Sequence, residues 1–359
     1  MDTAVATESD VAYAAGVVAR LLDVRAWEPV DGGVRFVGPL RPDAEARYPE
    51  ADEALASRGL DLWLREPGVG EDAEAIVVGR APAARRRSRP WIHWSLALAT
   101  LLTTAFVGAA HQGFNVLAEP TALIAGLPYG LALLAILGVH EMGHYLVARR
   151  RGVSVSLPYF IPVPFFLGTF GAFIRMDGRI RDRATYVDVA AAGPWAGLAA
   201  AVVALGLGAA LQGPVAAGAH PMGIDPRSSL LVSWVLGMAG IGAGGASVVL
   251  GPVAFAGWLG IVVTALNLVP VGQLDGGHVL YALVGRRRAR AVGFLLYGGM
   301  IALGVLSSPH WLLWAAVVWA ITGVNHPPAR NEAARLDPGR RIFGWLTLAL
   351  FLVIILPSP

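Results

Sequence analysis

The chain has 359 residues, 55% hydrophobic and only 15% charged, with a mean hydropathy of +0.58. A soluble protein of this length needs far more polar surface, and a disordered chain is charge-rich and poor in large apolar residues. Both classes are excluded, and a multi-span membrane protein fits. The absence of cysteine removes disulfides, thiolate metal sites and a cysteine nucleophile. The net charge of +3 conceals an asymmetry: residues 1–81 hold 16 acids against 8 arginines, and the rest holds 9 acids against 20. The two parts therefore face different surroundings. No charged stretch followed by a short apolar run opens the chain, so no cleavable signal peptide is expected.

In chain order, residues 1–81 predict a small acidic α+β domain on the cytoplasmic side. Residues 10–24 carry apolar side chains at helical spacing behind Ser9, a candidate N-cap. Residues 33–40 alternate like a strand. Residues 43–58 predict a second helix, closed by Gly59, and residues 60–65 and 75–80 predict two strands around a turn at 68–70. The expected order is α-β-α-β-β. Nucleic-acid binding is not expected of so acidic a domain. Residues 82–91 form an Arg/Pro linker.

Residues 92–359 predict a polytopic, all-α membrane bundle of about seven spans, near 92–110, 122–148, 186–211, 252–284, 291–307, 309–324 and 343–356. Arginines cluster at 85–89, 149–151, 175–183, 286–290 and 330–341, whereas loops 111–121 and 212–227 contain only Arg227. Seven spans with a cytoplasmic N-terminus place every cluster on one side. The expected location is a prokaryotic cytoplasmic membrane. Residues 153–176 are apolar but interrupted by Pro158, Pro162, Pro164, Gly168 and Gly171. They predict a re-entrant loop or β-hairpin that enters and leaves on the arginine-rich side. Residues 230–245 predict an interfacial or re-entrant helix on the opposite side.

Ionisable groups inside spans are costly, so they point to function. Two carboxylates fall there, Glu141 and Asp275, with His140, His144 and His278. In the run His140-Glu141-Met142-Gly143-His144, histidines four apart stack one helical turn apart on one face, so both imidazoles can reach one metal ion. Glu141 projects beside them as a base rather than a ligand. The plainer alternative is two core histidines and an arginine-paired glutamate. Zinc needs a third protein ligand and an open position, and Asp275 is the other carboxylate within a span. Pro270, Gly272, Gly276 and Gly277 interrupt the helix around it and free the backbone to aim Asp275 and Asn267 inward.

His140–His144 together with residues 267–277 resembles the site-2 protease family of intramembrane zinc metalloproteases. That family pairs H-E-x-x-H with a later N-x-x-P-x-x-x-L-D-G span, and both stand here intact. The resemblance covers a core at about 120–285, in a chain lacking PDZ and CBS modules. It implies one Zn2+ held by His140, His144 and Asp275, Glu141 as general base, and Asn267 assisting the transition state. It also implies substrate contact near Gly168, Thr169, Phe170 and Gly171. The hairpin then supplies a strand edge to a locally extended substrate, or serves as a plain seal on the cavity. His278 is a candidate partner behind the ligands, and His326 falls in a cytoplasmic loop.

The expected activity is zinc-dependent hydrolysis of a peptide bond in a transmembrane helix near the cytoplasmic face, in regulated intramembrane proteolysis. The partners are a transmembrane protein substrate and the lipid bilayer, and the oligomeric state is left open. The competing readings are an inactive chaperone-like binding protein on the same scaffold and a metal transporter. A binder has no need of Glu141, and a transporter spreads polar residues over several spans.

Overall fold

The computed structural model describes residues 8–66, 72–79, 89–176, 180–211, 223–241, 248–322 and 326–358. The expected turn at 68–70, most of the linker at 82–91 and much of loop 212–227 lie outside these residues. Two compact units are present, one of residues 1–87, 179–185 and 327–337, the other of 88–178, 186–326 and 338–359.

The first unit contains α1 (Glu8–Val18), β1 (Ala26–Val30), β2 (Gly33–Gly38), α2 (Ala44–Ala56), β3 (Leu60–Arg65) and β4 (Ala73–Gly79). Its antiparallel sheet has the order β1-β2-β4-β3. In β2 alternate side chains are buried, the period-two pattern of a sheet with one covered face. Phe36, Leu62 and Leu64 from that face pack with Val18, Leu21, Tyr48 and Leu55. Burial pushes the Tyr48 phenol above its usual range, and its hydroxyl donates to the Leu62 carbonyl at 3.0 Å. Two expectations are corrected here. Ser9 lies within α1 rather than capping it, and β1 precedes β2 in an α-β-β-α-β-β order. Later chain segments also belong to this unit: Asn331 bridges Leu64 and Asp182, and Arg330 pairs with Asp52 at 2.5 Å and Asp61 at 3.4 Å.

The second unit is helical: α3 (Pro90–His111), α4 (Leu123–Arg150), α5 (Arg183–Leu211), α6 (Leu230–Met238), α7 (Pro252–Asn267), α8 (Asp275–Val284), α9 (Arg286–Leu306), α10 (His310–Thr322) and α11 (Pro338–Ile355). Between α4 and α5 runs a hairpin of β5 (Tyr159–Pro162) and β6 (Thr169–Phe173). Among the described residues five helices are long and apolar enough to cross a membrane: α3, α4 with its preceding turn, α5, α9 and α11. Two of the seven expected spans take other forms. The stretch 252–284 is broken into α7 and α8, because Pro270 and three glycines cannot sustain a helix across 268–274. At 309–324 the described helix α10 has 13 residues, about 20 Å against the roughly 30 Å hydrocarbon core.

The expected hairpin at 153–176 is present as β5 and β6, held against α3 and α4 by polar contacts. His93 Nδ1 lies 3.1 Å from the Pro158 carbonyl, Thr103 Oγ1 donates to the Gly168 carbonyl at 2.7 Å, and Tyr129 Oη donates to the Leu167 carbonyl at 3.0 Å. Such bonds satisfy backbone groups that have no helical partner. Asp188, near the start of α5, is ion-paired with Arg151 at the end of α4 and with Arg340 in α11.

Candidate metal centre

Residues 140 and 144 sit one turn apart on α4, and both rings are buried on the side facing α5. Asp275 is the first residue of α8, where the helix N-terminus favours a carboxylate. The break before α8 turns the chain so that this first residue points back toward α4. His140 Nε2 and His144 Nε2 are 3.2 Å apart, and each is 3.3 Å from Asp275 Oδ2. The three donors form a nearly equilateral triangle. Tetrahedral zinc with ligand bonds of about 2.0–2.1 Å requires donor atoms about 3.3–3.4 Å apart. The spacing therefore fits one zinc ion, and this is the set of His, Cys, Asp or Glu among the described residues that could hold a metal.

The hydrogen bonding supports the same fit. His144 Nδ1 lies 2.8 Å from the Val189 carbonyl. A carbonyl only accepts, so Nδ1 carries the proton and Nε2 turns its lone pair to the cluster. That lone pair faces a carboxylate oxygen, and two acceptors at 3.3 Å need a proton or a metal cation between them. The His-His-carboxylate donor set, with no sulfur, is one that zinc takes in hydrolytic sites.

Glu141 is buried beside the histidines without belonging to the donor triangle. The backbone N–H of Ile174, directly after β6, faces its carboxylate. Asn267, the last residue of α7, brings Nδ2 to 3.4 Å from His140 Nε2. Five sequence-predicted residues from three helices thus converge.

The remaining predicted residues do not join them. Gly168 adopts φ +85°, and a Cβ there would lie 2.5 Å from Thr104 Cα, so it serves the packing of the hairpin on α3. Thr169 is buried and donates to the Ile161 carbonyl at 2.9 Å within the hairpin. Phe170 faces outward at 66% exposure, and Gly171 holds φ +95° beside it. No contact of 168–171 with the donor triangle is seen among the described residues. His278 is not one of the donors: its Nδ1 is 2.5 Å from His326 Nε2, Tyr186 packs against both of these rings, and Tyr281 stacks on His326.

Two residues that sequence reasoning passed over shape the centre. Gly193 and Gly197 of α5 lie directly against the ligand rings. A Cβ on Gly193 would fall 2.1 Å from His144 Nε2, and one on Gly197 would fall 2.7 Å from His140 Nδ1. The signal was present as small residues four apart in an apolar helix, the pattern that lets membrane helices approach closely.

Comparison with known proteins agrees with this geometry. The profile of peptidase family M50 matches residues 129–306, from early α4 to the end of α9. Similar proteins include one from Arabidopsis thaliana named probable zinc metalloprotease EGY1, chloroplastic, 34% identical over 240 residues, covering 65% of this chain and 43% of that protein. The probable zinc metalloprotease EGY2, chloroplastic, of Oryza sativa subsp. indica is 28% identical over 353 residues, covering 94% of this chain and 63% of its own length. EGY3 of Oryza sativa subsp. japonica, with the same form of name, is 29% identical over 375 residues, with 94% and 61% covered. The chain thus spans 43% to 63% of the length of these relatives. Their names place them in chloroplasts and lend no support to the prokaryotic cytoplasmic membrane expected from the sequence. No solved structure matches the chain significantly. With both motifs intact and their side chains gathered at one zinc-sized site, residues 129–306 of this chain match peptidase family M50, the site-2 protease family.

Proposed function

We propose that the protein is an intramembrane zinc endopeptidase that hydrolyses a peptide bond in a transmembrane helix of another protein, near the arginine-rich, cytoplasmic face, in regulated intramembrane proteolysis. The observation that carries this reading is the convergence of His140, His144 and Asp275 at zinc spacing, with a buried carboxylate outside the triangle. In this reading those three residues hold the ion, Glu141 is the base and Asn267 assists.

When bound there, zinc supplies Lewis-acid chemistry, polarising a scissile carbonyl and acidifying water. Glu141 takes the proton from the attacking water and returns it to the departing amine nitrogen. Its burial keeps bulk water from competing for that proton. Asn267 Nδ2, at the rim of the donor triangle, donates a hydrogen bond to the negative charge that develops on the carbonyl oxygen. His144 is held in its ligating tautomer by the Val189 carbonyl.

A helical substrate must be locally extended before its carbonyls are accessible. The two-stranded sheet of β5 and β6 leaves one edge of each strand without a partner strand among the described residues. The Ile174 N–H facing Glu141 puts the end of β6 beside the base. This supports strand addition at Phe170 and Gly171, with Gly168 and Thr169 shaping the hairpin.

The arginine distribution supports seven crossings with the N-terminus on the cytoplasmic side, α7 and α8 together crossing as one interrupted element. The charge balance of the sequence supports an acidic domain built on residues 1–81, joined by the linker at 82–91 to a membrane domain within 92–359, of which 179–185 and 327–337 belong to the first unit.

The test is metal content. Purified wild-type protein is expected to hold one zinc per chain by elemental analysis. His140→Ala, His144→Ala and Asp275→Asn are each expected to lower zinc affinity at least about 10–100-fold. Zinc content equal to wild type in all three variants would overturn the assignment of the site.

A further inference from the structure

A recess on the arginine-rich side of the second unit is lined by Pro270, Gly272, Gly277, Arg286, Arg290 and His326. None of the three donors, Glu141 or Asn267 lines it. Its floor is the interrupted segment that leads into α8, and its wall is the first turn of α9. The charge it presents is one-sided. Arg286 and Arg290 are a turn apart on α9 and project on the same face. Among the described residues neither guanidinium is ion-paired with a carboxylate, and Arg286 Nε is buried without a hydrogen-bond partner. A buried guanidinium nitrogen is costly to leave unsatisfied, so the recess favours an anionic acceptor. The N-terminus of α9 adds to this, since Gly285 at its cap provides no side-chain acceptor for the first backbone N–H groups.

We propose that this recess binds a phosphate oxyanion, supplied by the headgroup of an anionic lipid. The planar guanidinium fork matches phosphate oxygens, and half-buried Arg286 with the more exposed Arg290 supplies such donors beside an uncapped helix end. The location selects the lipid. α9 is long and apolar enough to cross a membrane, and Arg286 and Arg290 stand at its first turns, the depth at which headgroups lie. A headgroup held here rests against the segment that carries Asp275.

The experiment is native mass spectrometry of the 359-residue chain in non-ionic detergent, titrated with phosphatidylglycerol, phosphatidylcholine or inorganic phosphate. Phosphatidylglycerol is expected to bind about tenfold or more tightly than phosphatidylcholine. The double variant Arg286→Gln/Arg290→Gln is expected to lose that preference. Arg287→Gln/Arg288→Gln, with the same change in net charge on the same turns, is expected to keep it. Equal loss in both double variants would overturn the site, because the preference would then reflect diffuse charge. Equal binding of the two lipids by wild type, with no binding of inorganic phosphate, would also overturn it. Binding of inorganic phosphate without any preference between lipids would keep the oxyanion and overturn its lipid source.

Discussion

Glu141→Gln is expected to lower cleavage of a transmembrane substrate by about 10²–10⁴-fold while leaving zinc content at the wild-type level. The two halves of this result separate base from ligand. Glu141 lies outside the triangle of His140 Nε2, His144 Nε2 and Asp275 Oδ2, so an isosteric amide keeps all three donors. What is lost is the ability to accept a proton. Asp275→Asn is the contrasting case, since it removes a charge from the triangle itself and costs metal. Wild-type turnover by Glu141→Gln would remove the proposed proton transfer, and loss of zinc would mean that Glu141 is a ligand.

Gly193→Ala is expected to weaken zinc binding about 10–100-fold, although it adds only one methyl group and lies outside both motifs in the sequence. Helix propensity alone argues the opposite way, because alanine in a helix interior is favoured over glycine by roughly 0.5–1 kcal/mol. The steric term decides. The new Cβ would lie 2.1 Å from His144 Nε2 and 2.4 Å from its Cδ2, so the imidazole must tilt or α5 must retreat from α4. Either movement misaligns the Nε2 lone pair and strains the bond to Val189. Gly206→Ala, elsewhere on α5, is the control: its Cβ would find only Val235 Cγ1 at 3.7 Å, an ordinary contact. Zinc titration of both variants measures the difference. Equal affinity for Gly193→Ala and wild type would show that the glycine is not needed for the centre.

The metal centre was legible in the sequence because its chemistry is expensive. Ionisable side chains inside apolar helices stand out without knowledge of the fold, and helical periodicity alone aligns His140 with His144. Asp275 and Asn267 were recoverable from the broken, glycine-rich segment around them. Features defined by tertiary approach were hidden. Gly193 and Gly197 look like ordinary small residues until α4 is laid against them, and His278 and His326, 48 residues apart, show no local sign of their contact. In the first unit the alternation of β2 was readable. β1 was not, since Pro29 interrupts it and four of its five residues are exposed. Mean apolarity showed where apolar segments lie but not their form: it did not reveal that 252–284 is broken into α7 and α8, or that the described α10 has 13 residues.

The central claim is that the His140–His144–Asp275 site with Glu141 cuts peptide bonds within a membrane-spanning segment. Its most direct test is cleavage of a single-span protein substrate by the purified chain in liposomes, with mass spectrometry of the products. The account predicts a cut inside the apolar span toward its cytoplasmic end, stopped by a zinc chelator, restored by added zinc and absent with Glu141→Gln. Cleavage that persists in chelator, or that Glu141→Gln carries out at the wild-type rate, would contradict it.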